Sequence, residues 1–214
     1  AATGPNREQP GDPGEPPPVT LQIVPGSRRE AGTGCCLGEA QRRGRRLHLL
    51  DLDNLHGSGN PGIGCIHKVR NDYDRLGLLA GDLVYGACMH EPGRWNHEHV
   101  RRVAHICKVW PKGTVRPVAG RNGADKALVG KALEYVDQGR ITWFDEAVIA
   151  SGDHLFRVAA DRMRRLGVTV HLVISSEWAL ADDLRKAADG CILHLGERQC
   201  LRHLDVVVDY AKAA

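Results

Sequence analysis

Apolar positions along this chain follow two rhythms. Short, nearly solid apolar runs alternate with longer stretches in which apolar residues return every three or four positions. The first rhythm predicts buried strands and the second predicts amphipathic helices. Read in this way, residues 47–52, 83–89, 114–119, 147–150, 168–174 and 191–195 are strands, with 206–208 as a further candidate. Residues 65–79, 97–108, 124–136, 156–166 and 179–188 are helices. Three helices carry clear stripes: Val100, Val103, Ala104 and Cys107; then Leu128, Ala132, Tyr135 and Val136; then Phe156, Ala159, Ala160, Met163 and Leu166. Strands alternating with helices imply right-handed crossovers and parallel pairing. The expected class is therefore α/β, three layers in α/β/α order around a mostly parallel central sheet, Rossmann-like in plan. In such open sheets, ligands bind beyond the carboxyl ends of the strands.

Composition narrows this picture. The 214 residues suit one domain and a tail, and a hydrophobic share of 42% supports a real core. Aromatics are only 5%, so that core rests on Leu, Val, Ile and Ala. Seven of the eleven prolines precede residue 26, which predicts a disordered Pro/Gly-rich tail over 1–44 and a folded domain over 45–214. The tail ends in the basic run Arg42, Arg43, Arg45 and Arg46, read as a solvated linker or as a phosphate contact. No window approaches the roughly 18 apolar residues of a spanning helix, and no apolar signal core opens the chain. A cytoplasmic protein without a membrane partner is expected. The seven cysteines form no Cys-x-x-Cys pair and are read as free thiols rather than zinc ligands. A net charge of +3 permits a nucleic-acid partner without arguing for one.

The chemistry lies just after the strands. The first strand runs into Asp51-Leu52-Asp53-Asn54, the third is followed by Arg121-Asn122-Gly123-Ala124-Asp125, and the fourth by Ser151-Gly152-Asp153. Asp51, Asp125 and Asp153 would then share one edge of the sheet. Carboxylates this close raise one another's pKa unless a cation holds them. Oxygen ligands of this kind suit Mg²⁺ or Mn²⁺, which can activate water and offset charge on a phosphate. Plainer readings stand beside this one. Asp125 is also a favourable acid in a first helical turn, and Asp153 is also an N-cap. Asp51 is harder to read as structural, because an unpaired carboxylate ending an apolar strand is costly to bury. Strand alternation turns Asp53 away from Asp51, and Asp189 is a more distant candidate.

The same residues carry a family likeness. Leu49-Leu50-Asp51-Leu52-Asp53-Asn54 resembles the first-strand motif of NYN domains, an Asp followed three residues later by Asn. Asn122-Gly123-Ala124-Asp125-Lys126-Ala127-Leu128 resembles the second motif, with an Asp at a helix start. Ile149-Ala150-Ser151-Gly152-Asp153-His154-Leu155-Phe156 is similar to the third, Ser-Gly-Asp-x-Asp-Phe, and the 180–189 segment is similar to the closing helix. The likeness covers roughly 47–195, with the motifs in the expected order. It implies a PIN-like fold and a metal-dependent endoribonuclease, with Asp51, Asp125 and Asp153 as metal ligands. It also implies that Asn54 orients Asp51 or the phosphate and that Ser151 supports the site. Hydrolysis would leave a 5′-phosphate and a 3′-hydroxyl. One departure stands out: Leu155 replaces the family's second acid.

RNA requires a basic approach. Lys112, Arg116 and Arg121 lie on or beside the third strand, and Lys126 follows Asp125. The 90–97 loop offers Arg94 and Trp95, a phosphate contact beside a stacking ring, or simply a surface loop with one packed Trp. Arg162, Arg164 and Arg165 read as the solvated end of a helix. Other motifs fit less well. A haloacid dehalogenase-like phosphatase would use Asp51 and Asp53, but Leu55 stands where its motif has Thr or Val, and Arg157 and Val158 stand where it has an acid. Residues 57–62 match Gly-x-Gly-x-x-Gly, but they lie too far from the strand end and no acid closes the second strand. There is no P-loop. His97 and His99 do not face each other on one helix, which argues against zinc there. The non-enzymatic alternative is a pseudo-nuclease that binds RNA or a protein, and Leu155 keeps that reading open. Self-association or a protein partner is compatible with either reading.

Overall fold

The computed structural model describes residues 37, 44–91, 97–111, 114–196 and 199–200, the last two as backbone only. All of them fall within one unit, Thr33–Ala214. The order of elements is β1 (Arg46–Asp51), α1 (Leu52–His56), α2 (Ile63–Asp74), β2 (Leu83–Met89), α3 (His97–Val109), β3 (Val115–Val118) and α4 (Gly123–Asp137). It continues with β4 (Glu146–Ala150), α5 (Arg157–Arg165), β5 (Thr169–Ile174), α6 (Asp182–Ala187), β6 (Ile192–His194) and β7 (Gln199–Cys200). The sheet order is β3-β2-β1-β4-β5-β6-β7. Six strands are parallel, and β7 pairs antiparallel with β6. The expected strands and helices form, and the class is the expected three-layer, mostly parallel α/β.

Alternation along the central strands builds two cores. Leu47 and Leu49 of β1, Ala147 and Ile149 of β4, and Val170 and Leu172 of β5 pack with α4, α5 and α6. Leu50, Val148 and Val173 face the other way, onto α2 and α3 through Ile66, Tyr73, Val103 and Ile106. Every residue of β1 and β4 is buried, as expected of strands covered on both faces. Each fully buried Leu or Ile stabilises the fold by about 1.5–3 kcal/mol. The strand order turns back between β1 and β4, so a crevice opens beyond their carboxyl ends, where such sheets bind ligands.

Some expectations change. The first strand stops at Asp51 because the chain turns at once into α1, a helix missing from the strand reading. The expected 65–79 helix ends at Asp74, and the chain then bends through Gly77 at φ 72°. The expected 179–188 helix divides into a 3-10 turn, Glu177–Ala179, and α6. Arg46 is not a solvated linker residue. It is fully buried, paired in register with Glu146, and donates from Nε to Glu146 Oε2 at 2.5 Å and from Nη1 to the Leu37 carbonyl at 2.8 Å. Leu37, on the tail side of residue 44, is itself fully buried. The thiol expectation holds for Cys65, Cys88 and Cys107, but Cys191 carries a disulfide, a pairing that spacing alone does not reveal. Arg94, Trp95, Lys112 and the 206–208 segment lie outside the described residues. Among the described residues no helix is long and apolar enough to cross a membrane.

Candidate functional site

Asp51 shares the strand face of Leu47 and Leu49, and that face looks toward α4. It is 4% exposed and caps α1, accepting the Asn54 N–H on Oδ1 at 3.1 Å. Its other oxygen, Oδ2, accepts the Ser151 hydroxyl at 2.9 Å. Ser151 follows β4 directly, so the neighbouring strand ends place this donor opposite the acid. The Ser151 hydroxyl oxygen also accepts the Asp153 N–H at 3.1 Å, which ties the β4 end to the β1 end. Asn54 completes the brace, its Oδ1 accepting the Gly152 N–H at 3.3 Å and its carbonyl accepting the Ser175 hydroxyl at 2.7 Å.

Asp125 arrives from the first turn of α4. Asn122, at φ 52°, makes the left-handed turn that starts this helix, a conformation Asn tolerates better than most residues. The Asp125 carboxyl lies within interaction range of the Asp51 carboxyl. Burial first, and then that interaction and the charge of Asp125, push the Asp51 carboxyl up to about 8, against the opposing pull of Asn54 and Ser151. Asp53, on α1, is pushed up to about 6, mainly by burial and further by the charge of Asp125, while the Met89 N–H, donating to its Oδ2 at 2.7 Å, pulls it down. Strand alternation therefore misplaces Asp53. The strand has already ended, and one helical turn brings Asp53 within electrostatic reach of Asp125.

Asp153 is joined to Asp51 through Ser151, by way of its backbone N–H. Its Oδ1 accepts the Leu155 N–H at 2.8 Å, capping the 3-10 turn His154–Phe156, and His154 Nδ1 lies 3.2 Å away. Leu155 is half-buried beside it. Among the described residues no three His, Cys, Asp or Glu side chains converge on one point as metal ligands. Asp51 and Asp125 interact directly through their carboxyls, and Asp53 feels the charge of Asp125. Mg²⁺ is commonly held by one or two carboxylates and keeps several waters. The oxygen-only donors and a buried acid that resists ionising fit such an ion. Arg121 and Lys126 are exposed at the start of α4, with Lys126 Nζ 3.5 Å from the Arg121 carbonyl. Beyond them a groove of about 500 Å³ runs between α4 and β2–β3, lined by Lys126, Lys131, Arg116 and Tyr85.

A crystal structure of a protein of unknown function from Vibrio parahaemolyticus is similar at 18% identity, over 68% of this chain and 90% of that one, with a TM-score of 0.47. No curated protein sequence matches. The family model for the NYN domain matches residues 49–195, from the strand that carries Asp51 through β6. That span is well over half of the chain, and it shows that this protein belongs to the NYN domain family, within the PIN-like nuclease superfamily.

Proposed function

We propose that this chain is a divalent-metal-dependent endoribonuclease whose centre is the Asp51–Asp125 pair, with Asp153 as a more peripheral acid. The observation that carries this reading is a buried carboxyl, Asp51, pressed against a second acid at the switch point of the sheet and braced on both oxygens. A buried acid beside a second, half-buried one resists ionising until a cation compensates it. Asp51 and Asp125 would hold Mg²⁺ or Mn²⁺, with Asp153 and Asp53 as further acids at the same sheet edge. A bound ion of this class supplies an activated water and offsets charge on the phosphate.

The chain's own residues do the positioning. Ser151 and the Asn54 N–H fix both oxygens of Asp51, so its orientation does not depend on substrate. Asn54 Oδ1 holds the Gly152 N–H and keeps the β4 end in register with the β1 end. Arg121 and Lys126 give an RNA phosphate a cationic approach beside the acids. Arg94 and Trp95 are proposed to contact the same RNA strand. Attack of water on phosphorus with loss of the 3′-oxygen would give 5′-phosphate and 3′-hydroxyl ends. In this reading the nuclease domain is 45–214 and 1–44 is a tail, although Leu37 is buried in the core.

A second reading has its own support. Leu155 replaces an acid, and Asp153 is turned into its own cap, features that suit a pseudo-nuclease that binds RNA or a protein without cutting it. The two readings part on one experiment. Labelled single-stranded RNA is incubated with Mn²⁺, with Mg²⁺ and with EDTA, and the ends are typed by phosphatase and ligase sensitivity. Metal-dependent fragments with 5′-phosphates support the nuclease. Binding without fragments under either metal supports the pseudo-nuclease.

A further inference from the structure

Trp178 stands almost wholly in water, 98% exposed, more than any other large apolar residue among those described. An indole left in solvent forgoes most of the roughly 150–250 Å² of burial that makes aromatic residues useful to a fold. The other described tryptophans differ. Trp110 is buried, and Trp143, 53% exposed, carries the Arg140 guanidinium 4.8 Å above its ring.

The placement of Trp178 gives the exposure a use. Its 3-10 turn, Glu177–Ala179, follows β5, on the same sheet edge as Asp51 and Ser151. The turn is closed by Ala179 N–H to the Ser176 carbonyl at 3.2 Å and by Leu180 N–H to the Glu177 carbonyl at 3.1 Å. It is fastened to the acidic centre where Ala181 N–H donates to the Gly152 carbonyl at 2.9 Å. The approach is so close that a Cβ on Gly152 would lie 2.2 Å from the Ala179 carbonyl oxygen. Gly152 lies between Ser151, the partner of Asp51, and Asp153. The indole thus projects from a turn fixed to the rim of the site. Beside it is a shallow pocket of about 210 Å³, lined by Glu177, Trp178, Leu180, Asp182 and Arg185. Two carboxylates in that lining disfavour a phosphate. An aromatic face with acceptors around it suits a nucleobase, which stacks through its ring and donates through its exocyclic amines.

We propose that Trp178 is the stacking platform for one unpaired base of the RNA strand next to the scissile phosphate. This rests on the reading of the acidic pair as an RNA-cutting centre. The test uses the full chain and its Trp178→Ala, Trp178→Phe and Trp143→Ala variants. Binding of end-labelled single-stranded RNA is read by anisotropy in Ca²⁺, and cutting is read separately in Mn²⁺. The expected result is roughly 5- to 100-fold weaker binding for Trp178→Ala, the scale of one lost base–aromatic stack. Trp178→Phe keeps most of the affinity, Trp143→Ala changes nothing, and RNA quenches the wild-type indole fluorescence. Trp178 is exposed, so unchanged melting of the variant separates a lost contact from a lost fold. Wild-type affinity in Trp178→Ala overturns the proposal. So does loss of a protein partner with RNA affinity unchanged, which reassigns the ring to protein docking. Wild-type protein that binds RNA but does not cut it sinks the nuclease reading while binding still decides the role of Trp178. Wild-type protein that binds no RNA overturns both.

Discussion

At the residue scale the site turns on one buried acid. The Asp51 carboxyl is raised to about 8 from 3.8, first by burial and then by Asp125, so the folded metal-free protein favours its protonated form. A raised pKa of this kind contributes stability that is complete below the unfolded value and is lost as pH rises through the folded one. Metal-free wild type therefore loses stability, relative to Asp51→Asn, as pH rises between about 4 and 8. In EDTA at the upper end of that range, Asp51→Asn should melt several degrees above wild type, given roughly 2–4 °C per kcal/mol for a chain of this size. Saturating Mg²⁺ or Mn²⁺ should reverse that order, because only the ionised acid pair gains from the cation. Melting scans across pH, with and without metal, check both halves. A variant no more stable than wild type in EDTA would show that the acid pair carries no strain. Reading Asp51 from sequence was possible because an acid ending an apolar strand is conspicuous. Asp53 was misplaced because its orientation depends on where the strand stops, and Asp51 itself ends that strand by capping the next helix.

At the scale of elements, the site depends on how strand ends are joined. Gly152 lets the segment after β4 lie against the segment after β5, with no room for a side chain below the Ala179 carbonyl. Gly152→Ala should cost roughly 1–3 kcal/mol by forcing that backbone contact apart. It should also lower RNA cutting by more than the loss of folded protein explains, since Ser151 and Asp153 flank the displaced residue. Denaturant melts and cutting rates measured on the same preparation test this, and a Gly152→Ala protein with wild-type stability would refute it. The strands themselves were legible because they are short, solid apolar runs covered on both faces. The α1 helix was not, because five residues are too few to show a helical period, and its start was hidden inside the strand pattern. Asp153 was legible both as a candidate ligand and as an N-cap, and the cap is the role that the hydrogen bonds display. Its N-cap geometry, which the sequence allowed equally, directs one oxygen to Leu155.

At the scale of the whole molecule, the two edges of the sheet do different work. The carboxyl edge gathers the acids at the switch point. The opposite edge holds a buried ion pair, Arg46 with Glu146, in register across β1 and β4. Removing one partner of a buried pair leaves a charge without compensation and costs about 3–5 kcal/mol. Glu146→Ala should therefore lower stability by about that much, with Glu146→Gln milder because the amide oxygen still accepts from Arg46. Neither change should alter the metal dependence of whatever protein remains folded. Chemical denaturation gives the first number, and metal titration of activity gives the second. The run of arginines from 42 concealed this division. Composition reads it as a solvated linker, yet Arg46 already belongs to a strand, and its partner lies one hundred positions along the chain. Pairing across that distance leaves no local trace.

The central claim is that the Asp51–Asp125 pair makes the protein a nuclease. The most direct test is cleavage of a mixed single-stranded RNA pool by wild type, Asp51→Asn and Asp125→Asn in Mn²⁺ and in Mg²⁺, with EDTA as the blank. The account predicts metal-dependent cutting by wild type and at least about a hundredfold loss in each variant, the scale seen when a group stabilising charge in the transition state is removed. Cutting that persists undiminished in both variants, or that survives EDTA, would contradict it.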